Sequence, residues 1–427
     1  MKQSLGWKFL TLLSIILLYL SSVMNMYAVF GDEYLDIYTG YFTILLWIVL
    51  GILNTRTGLR ELYMPKKLKW YLAYSLVVVV LTNITSGLSE TLTASLTVII
   101  GMLLLGMFWD TYRNEKFMKV YVWIAVVTIG FFFFQYFVKL TTGIGISGVI
   151  PFLHLSHGVS QDVIFNQMYV YKRSSSFFSE PSHFAQFLIP LLIYLLFDKT
   201  SSAKFKNPLI VSIFATLLMT MSGTAIALLI PTFFFIAVGT WKKYQHNRVI
   251  AIFLICVVSV GLLYFGNRYL SSDMGSFVNE RSAEVFTADR NDAGSSGFIR
   301  IWRGYFVFAD FSPIEMLFGT GNHKAILGHV FGSHMELFLE DFGLTYFNTI
   351  QYILIHTGFV GFFLFILYLA YLWKDNNVCG RCLIVTFVLL MFIESIYGGS
   401  RMALFLMMAQ YQKIKDRSSQ QHILSAI

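Results

Sequence analysis

Long apolar runs broken by short clusters of charge and turn residues account for most of this chain. A helix needs ~17–25 such residues to cross a bilayer. Hydropathy with turn punctuation predicts spans at 8–30, 36–53, 70–84, 92–109, 120–140, 181–197, 208–222, 225–240, 249–266, 358–373, 382–397 and 400–412. The pairs 70–84/92–109, 208–222/225–240 and 382–397/400–412 have turns short enough to form hairpins. The first run is too long for the core of a signal peptide and is read as a retained anchor. Two segments, 141–180 and 267–357, exceed the length of a connector. In the second, a polar stretch from Ser271 to Gly297 is followed by amphipathic helix over 298–318 and again over 335–356.

Composition fits this pattern. Apolar residues make up 56% of the 427, charged residues 13%, and mean hydropathy is +0.66. The fold class expected is therefore all-α: a polytopic membrane bundle of about 12 transmembrane helices. It forms one membrane domain over 1–427 with two long extracytoplasmic loops. Lys and Arg orient it. With both termini cytoplasmic, 21 of the 31 cations fall on short inside loops or tails, and 17 of the 23 acids lie on the other side. The net charge of +8 is then a topology signal and a match to anionic lipid, and no nucleic-acid partner is expected. The halves of the bundle do not match in loop placement, which argues against a transporter built on repeats.

Charge is costly at a membrane boundary, so clusters there mark candidate sites. The first is RSSSFFSEPSHFAQF at 173–187. Ser179-Glu180-Pro181 reads as a helix start, with Pro in the first turn where its missing N–H is not needed. The positive end of that helix could receive an anion. His183 shares a face with Glu180, and an Arg173–Glu180 salt bridge is the structural alternative. The second cluster, Arg300 and Arg303 in GFIRIWRGYF, puts two guanidiniums on one helix face, suited to phosphate oxygens or to lipid head groups. Gly319-Thr320-Gly321 reads only as a tight turn. Glu394 and Arg401 flank the last hairpin, where they could pair with each other or Arg401 could face the site.

Seven of nine histidines, His334 among them, fall on the outer side, yet no short metal-ligand pattern appears, so no metal and no cofactor is expected. Cys379 and Cys382, in CGRC, are placed on a cytoplasmic loop with no chemistry assigned. No P-loop, GxSxG or dinucleotide fingerprint is present.

Arg173 with FFSEPSHFAQFLIP, then LLMTMSGTAIALLIP at 217–231, Arg300 to Gly321, and NTIQYILIHTGFVG from Asn348 resemble, in order and spacing, the Wzy-type bacterial O-antigen and capsular polysaccharide polymerases, relatives of the O-antigen ligases. The resemblance implies a multi-pass protein of the bacterial cytoplasmic membrane. It also implies a glycosyltransferase that moves a growing glycan from undecaprenyl diphosphate onto the next lipid-linked oligosaccharide repeat. Membrane lipids, a flippase and a chain-length regulator are the implied partners. Ligase-like members often carry His-Asn where this chain has Phe347-Asn348, and Ser-Arg where it has Ser222-Gly223. His334, His356 or Glu180 are left as candidate bases.

On this reading Arg173, Glu180 and Arg300 carry the chemistry. Ser179, His183, Arg303, His334, Asn348 and Arg401 are the candidate substrate contacts. A flippase of the same lipid, or a ligase with another acceptor, are the rival readings.

Overall fold

The computed structural model describes residues 12–13, 15–16, 19–23, 27, 65–84, 116–150, 153–155, 173–197, 206–243, 300–321, 323–333 and 347–425. Within them the protein is all-helical, apart from one isolated bridge between Tyr27 and Leu155. The helices are α1 (Lys66–Asn83), α2 (Lys116–Thr142), α3 (Pro181–Phe197), α4 (Lys206–Met219), α5 (Gly223–Lys243), α6 (Arg303–Ala309), α7 (Pro313–Phe318), α8 (His323–Ser333), α9 (Thr349–Trp373), α10 (Val378–Ile393) and α11 (Ser400–Ser425). The expected spans 36–53, 92–109 and 249–266 and the polar stretch from Ser271 lie outside the described residues.

Helix α3 is apolar all round, and such a helix belongs in the interior. It packs against α2, α4, α5, α10 and α11, with Phe184, Phe187, Leu188 and Leu191 wholly buried. Pro190 removes one of its backbone donors. Near that gap the Tyr121 hydroxyl donates to the Phe187 carbonyl. Outward from this core the surface is apolar too. Trp123, Val127, Phe134, Phe137 and Leu140 on α2, and Ile226, Ile230 and Phe234 on α5, are exposed at helical spacing. Such stripes suit lipid rather than water. Phe117–Thr142 and Thr349–Trp373 are long and apolar enough to span a bilayer, and α3, α4, α5 and α10 are shorter apolar helices.

Two expectations are revised. The span expected from 358 follows a break at Gly358 inside a longer helix. α9 starts at Thr349, capped by a reciprocal box in which Asn348 Oδ1 accepts from Gln351 N–H and Gln351 accepts from Asn348 N–H. Gly358, at φ +63°, breaks it from within. There the Thr320 N–H reaches in to the Ile355 carbonyl at 2.8 Å. A Cβ on Gly358 would stand 2.4 Å from the Leu317 carbonyl oxygen, and one on Gly319 2.5 Å from the Gly358 nitrogen, so the Gly-Thr-Gly turn docks where only glycines fit. The second correction concerns Cys379 and Cys382. They are buried in the first turns of α10, because Asn377 caps that helix earlier than hydropathy suggested. Amphipathic helix over 298–318 resolves into two short helices, α6 and α7, the latter held by a Ser312–Glu315 capping box.

The bundle has chemically different ends. Where α9 finishes and α10 starts, Lys413 is buried and donates to the carbonyls of Lys374, at 2.6 Å, and Tyr371. The Asn376 amide ties Leu372 to Ala409. The other end gathers the starts of α3, α5, α9 and α11 with the close of α10, and it carries the candidate site.

Candidate active site

The loop before α3 is pinned from below. Ser176 sits at φ +56°. Its N–H donates to Gln135 Oε1 at 3.1 Å and its hydroxyl to the Thr128 carbonyl at 2.7 Å. Gln135, buried in α2, also donates to the Ile146 carbonyl at 2.9 Å. Phe177 stacks on Phe131 at 4.1 Å, and Phe178 on Phe184. These contacts fix where the chain turns into α3.

Glu180 is the helix cap, since its carbonyl accepts from His183 and Phe184 N–H. Ser182 donates to Glu180 Oε2 at 2.9 Å. Ser179 Oγ and His183 Nδ1 lie 2.7 Å apart. One α3 face thus presents Ser179, Glu180 and His183, with the buried Gln186 one turn further in.

Arg300 reaches this face. Its Nη2 donates to Glu180 Oε2 at 3.5 Å and its Nη1 to Glu394 Oε1 at 2.7 Å. The partners differ in setting: the Glu394 side chain is 3% exposed and that of Glu180 35%. Burial alone would raise the Glu180 carboxyl. Arg300 beside it, with hydrogen bonds from Ser182 and Arg300, instead holds it down at about 2. Glu180 pairs with Arg300, and among the described residues the alternative Arg173–Glu180 bridge is not formed. Arg173 turns to the α4–α5 hairpin, where Nη1 donates to the Met221 carbonyl at 3.4 Å.

The backbone beneath Arg300 is clamped. Asn348 Nδ2 donates to the Arg300 carbonyl at 2.9 Å and to the Phe392 carbonyl at 3.0 Å. Gln351 Nε2 donates to the Ile301 carbonyl at 2.7 Å. Gly304 makes the approach feasible, because a Cβ there would meet the Gln351 carboxamide at 2.6 Å and Phe347 at 2.8 Å. Glu394 is fixed in turn. Its side chain accepts from Thr224 Oγ1 at 3.1 Å, and its carbonyl accepts from Thr349 N–H at 3.0 Å and from the Thr349 hydroxyl at 2.8 Å.

The predicted residues therefore fall into distinct places. Glu180 and Arg300 meet directly, and Ser179 and His183 line the same face. Arg401, in the first turn of α11, donates to Gln186 Oε1. Asn348 is wholly buried and grips backbone rather than facing open space. Arg303 is the largest wholly buried side chain among the described residues, so it does not snorkel to lipid. His334 lies outside the described residues. Glu394 is the participant that sequence reasoning did not assign to the site. Its signal was an acid at the end of an apolar helix, on the side where Glu180 was expected.

The electrostatics favour an anion. The starts of α3, α5, α9 and α11 each contribute a residue to these contacts, through Glu180, Thr224, Thr349 and Arg401, so positive helix ends lie on this side of the bundle. Glu394 instead sits at the C-terminal end of α10, an unfavourable place for a carboxylate that Arg300 offsets.

The O-antigen ligase family model, Wzy_C, matches residues 208–366. The match covers a little over a third of the chain, and it is this segment that is similar to the O-antigen ligase family. That segment contributes Thr224, Arg300 and Asn348, while Glu180, Glu394 and Arg401 come from the flanking helices. No curated protein and no solved structure matches the chain significantly.

Proposed function

We propose that this protein is a polysaccharide polymerase. It transfers a growing glycan from undecaprenyl diphosphate to the next lipid-linked repeat at the outer face of the bacterial cytoplasmic membrane, in a bundle of about twelve spans. The observation that carries the reading is Arg300 held between Glu180 and Glu394 at the end of the bundle where four helices start. This arrangement lies at the opposite end of the bundle from the lysine-rich helix ends, which positive-inside counting assigns to the cytosol.

In the reaction the acceptor hydroxyl attacks the anomeric carbon. A new glycosidic C–O bond forms, the bond to the diphosphate breaks, and the diphosphate leaves with the electron pair. The acceptor proton passes to Glu180, the partly exposed carboxylate of the cluster. Guanidinium donors and helix N-termini stabilise the charge that gathers on the leaving group, which is usually the largest contribution to such catalysis. Arg173 and Arg401 add positive charge from the hairpin turn and from α11.

The family model's description as a ligase favours a second reading, transfer to a non-lipid-linked or core acceptor. Phe347, buried where ligase-like members carry histidine, supports the polymerase. The test is glycan length in cells carrying Arg300→Lys or Arg173→Lys. Lysine keeps the charge but loses the fork, so a lysine at 300 cannot reach both carboxylates. Short products are expected; long polymer made normally by both variants removes the assignment. With purified protein and lipid-linked substrate, a ladder identifies a polymerase, single addition a ligase, and no product a flippase.

A further inference from the structure

Arg300 does not treat its two carboxylates alike. The Nη1 contact to Glu394 is 2.7 Å, with the carboxylate almost wholly enclosed and steadied by Thr224. The Nη2 contact to Glu180 is 3.5 Å, and both side chains there are about a third exposed, 27% and 35%. A charge-assisted N–H···O bond is ordinarily ~2.7–2.9 Å, so the first contact is fully made and the second is loose and partly exposed. The enclosing framework is also asymmetric. Asn348 ties the Arg300 carbonyl to Phe392, two residues before Glu394, so arginine and glutamate are registered through one amide. Among the described residues no such amide links the Arg300 backbone to the α3 turn.

We infer that Glu394 is the positioning residue that anchors Arg300, and that Glu180 is its exchangeable partner, displaced from Nη2 by a phosphate oxygen of the lipid diphosphate. The inference rests on the function proposed above and assigns the two acids different tasks. The site then assembles in order. Without substrate, Glu180 occupies the open Nη2 side of the guanidinium. When the diphosphate arrives it takes the Nη2 side, and Arg300, still fixed by Glu394, does not follow the released carboxylate. Glu180, no longer held by the cation, is freed to accept the acceptor proton. A donor bound without displacing Glu180 would leave the base occupied, so the exchange couples donor binding to activation.

The experiment measures binding of geranylgeranyl diphosphate to the purified full-length protein in nanodiscs, with thermal melting as the folding check. Glu180→Gln and Glu394→Gln each remove one negative charge beside the same guanidinium at nearly constant shape. Glu180→Gln is expected to tighten the probe about tenfold, the value of one charge-assisted hydrogen bond no longer contested. Glu394→Gln is expected not to tighten it, and in that background Glu180→Gln loses its effect. This non-additivity is what separates anchoring from general damage, since independent sites add. Thr224→Val, which loosens Glu394 without changing charge, serves as the background if Glu394→Gln does not fold. Equal tightening by both single variants, or a Glu180→Gln gain that persists undiminished in the second background, overturns the inference alone. Wild-type protein that binds no prenyl diphosphate overturns the diphosphate reading of the site as well.

Discussion

Asn348→Asp separates two duties that one side chain performs. The cap is retained, because aspartate is as good as asparagine at that position and its oxygen still accepts from Gln351 N–H, now at 2.9 Å. The clamp is lost, because both donations from Nδ2, to Arg300 and Phe392, vanish and a carboxylate oxygen is left facing two carbonyls in a wholly buried place. Two neutral hydrogen bonds are worth ~1–3 kcal/mol together, and each buried acceptor left unsatisfied adds to that, so a loss of ~2–4 kcal/mol of stability is expected. The effect on turnover should be larger than the effect on the fold. Arg300 would be free to drift, and a misplacement of ~1 Å at a reacting centre costs ~100-fold. Melting of the purified protein in detergent and transfer from a lipid-linked donor measure the two effects. Unchanged melting with unchanged turnover would refute the clamp. A helix α9 that frays at its start, seen by hydrogen exchange, would show instead that the cap was what failed.

Gly358→Ala puts a Cβ 2.4 Å from the Leu317 carbonyl at φ +63° and should cost ~2 kcal/mol or more, read as a lower melting temperature; an unaltered melt would mean that the Gly319 turn does not dock there. Gln135→Leu orphans the Ser176 N–H and the Ile146 carbonyl, so ~2–3 kcal/mol should be lost, with faster hydrogen exchange confined to 173–180 and reduced transfer; uniform exchange over the whole chain would contradict the local role. Glu315 caps α7, and although burial opposes its charge, hydrogen bonds from Ser312 and the neighbouring His329 hold its carboxyl below the usual range. A lowered folded value gives stability that is complete above the ordinary glutamate range and is lost as pH falls through the folded value. Protease resistance of 311–333 should therefore be full above the ordinary glutamate range and fall as pH drops below it, and Glu315→Gln should flatten that drop; an identical acid profile in the variant would exclude Glu315.

What the sequence disclosed depended on the range of the interaction that set each feature. Helix α3 was read at 181–197 and is Pro181–Phe197, because proline, the preceding acid and a long apolar run are all local signals. The α4–α5 hairpin was read for the same reason. The break in α9 at Gly358 is legible as a span boundary, whereas the single kinked helix from Thr349 is not. Its cap is local, but the apparent boundary at Gly358 is created by Thr320 and Gly319, some forty positions earlier, and periodicity carries no trace of such a contact. The site divided likewise. Glu180 and Arg300 were singled out by their cost at a membrane boundary, whereas their pairing depends on Asn348 and Gln351 gripping backbone from another helix, which spacing cannot reveal.

Glu394 shows why composition alone could not complete the site. With Arg300 as the shared partner, the two glutamates leave the triad at one net negative charge, which by itself would repel a diphosphate. Arg173, Arg401 and four helix N-termini reverse that sign only because the fold carries them to the same end of the bundle. The carboxylates can then serve a purpose that bare cations would not. They keep Arg300 oriented and compensated in a poorly hydrated place until an anion of higher charge competes for it. A buried guanidinium with no such partners would bear the full desolvation cost, or would collapse onto nearby carbonyls and be lost to the substrate. The acids therefore set how Arg300 waits, and the dipoles decide what it waits for.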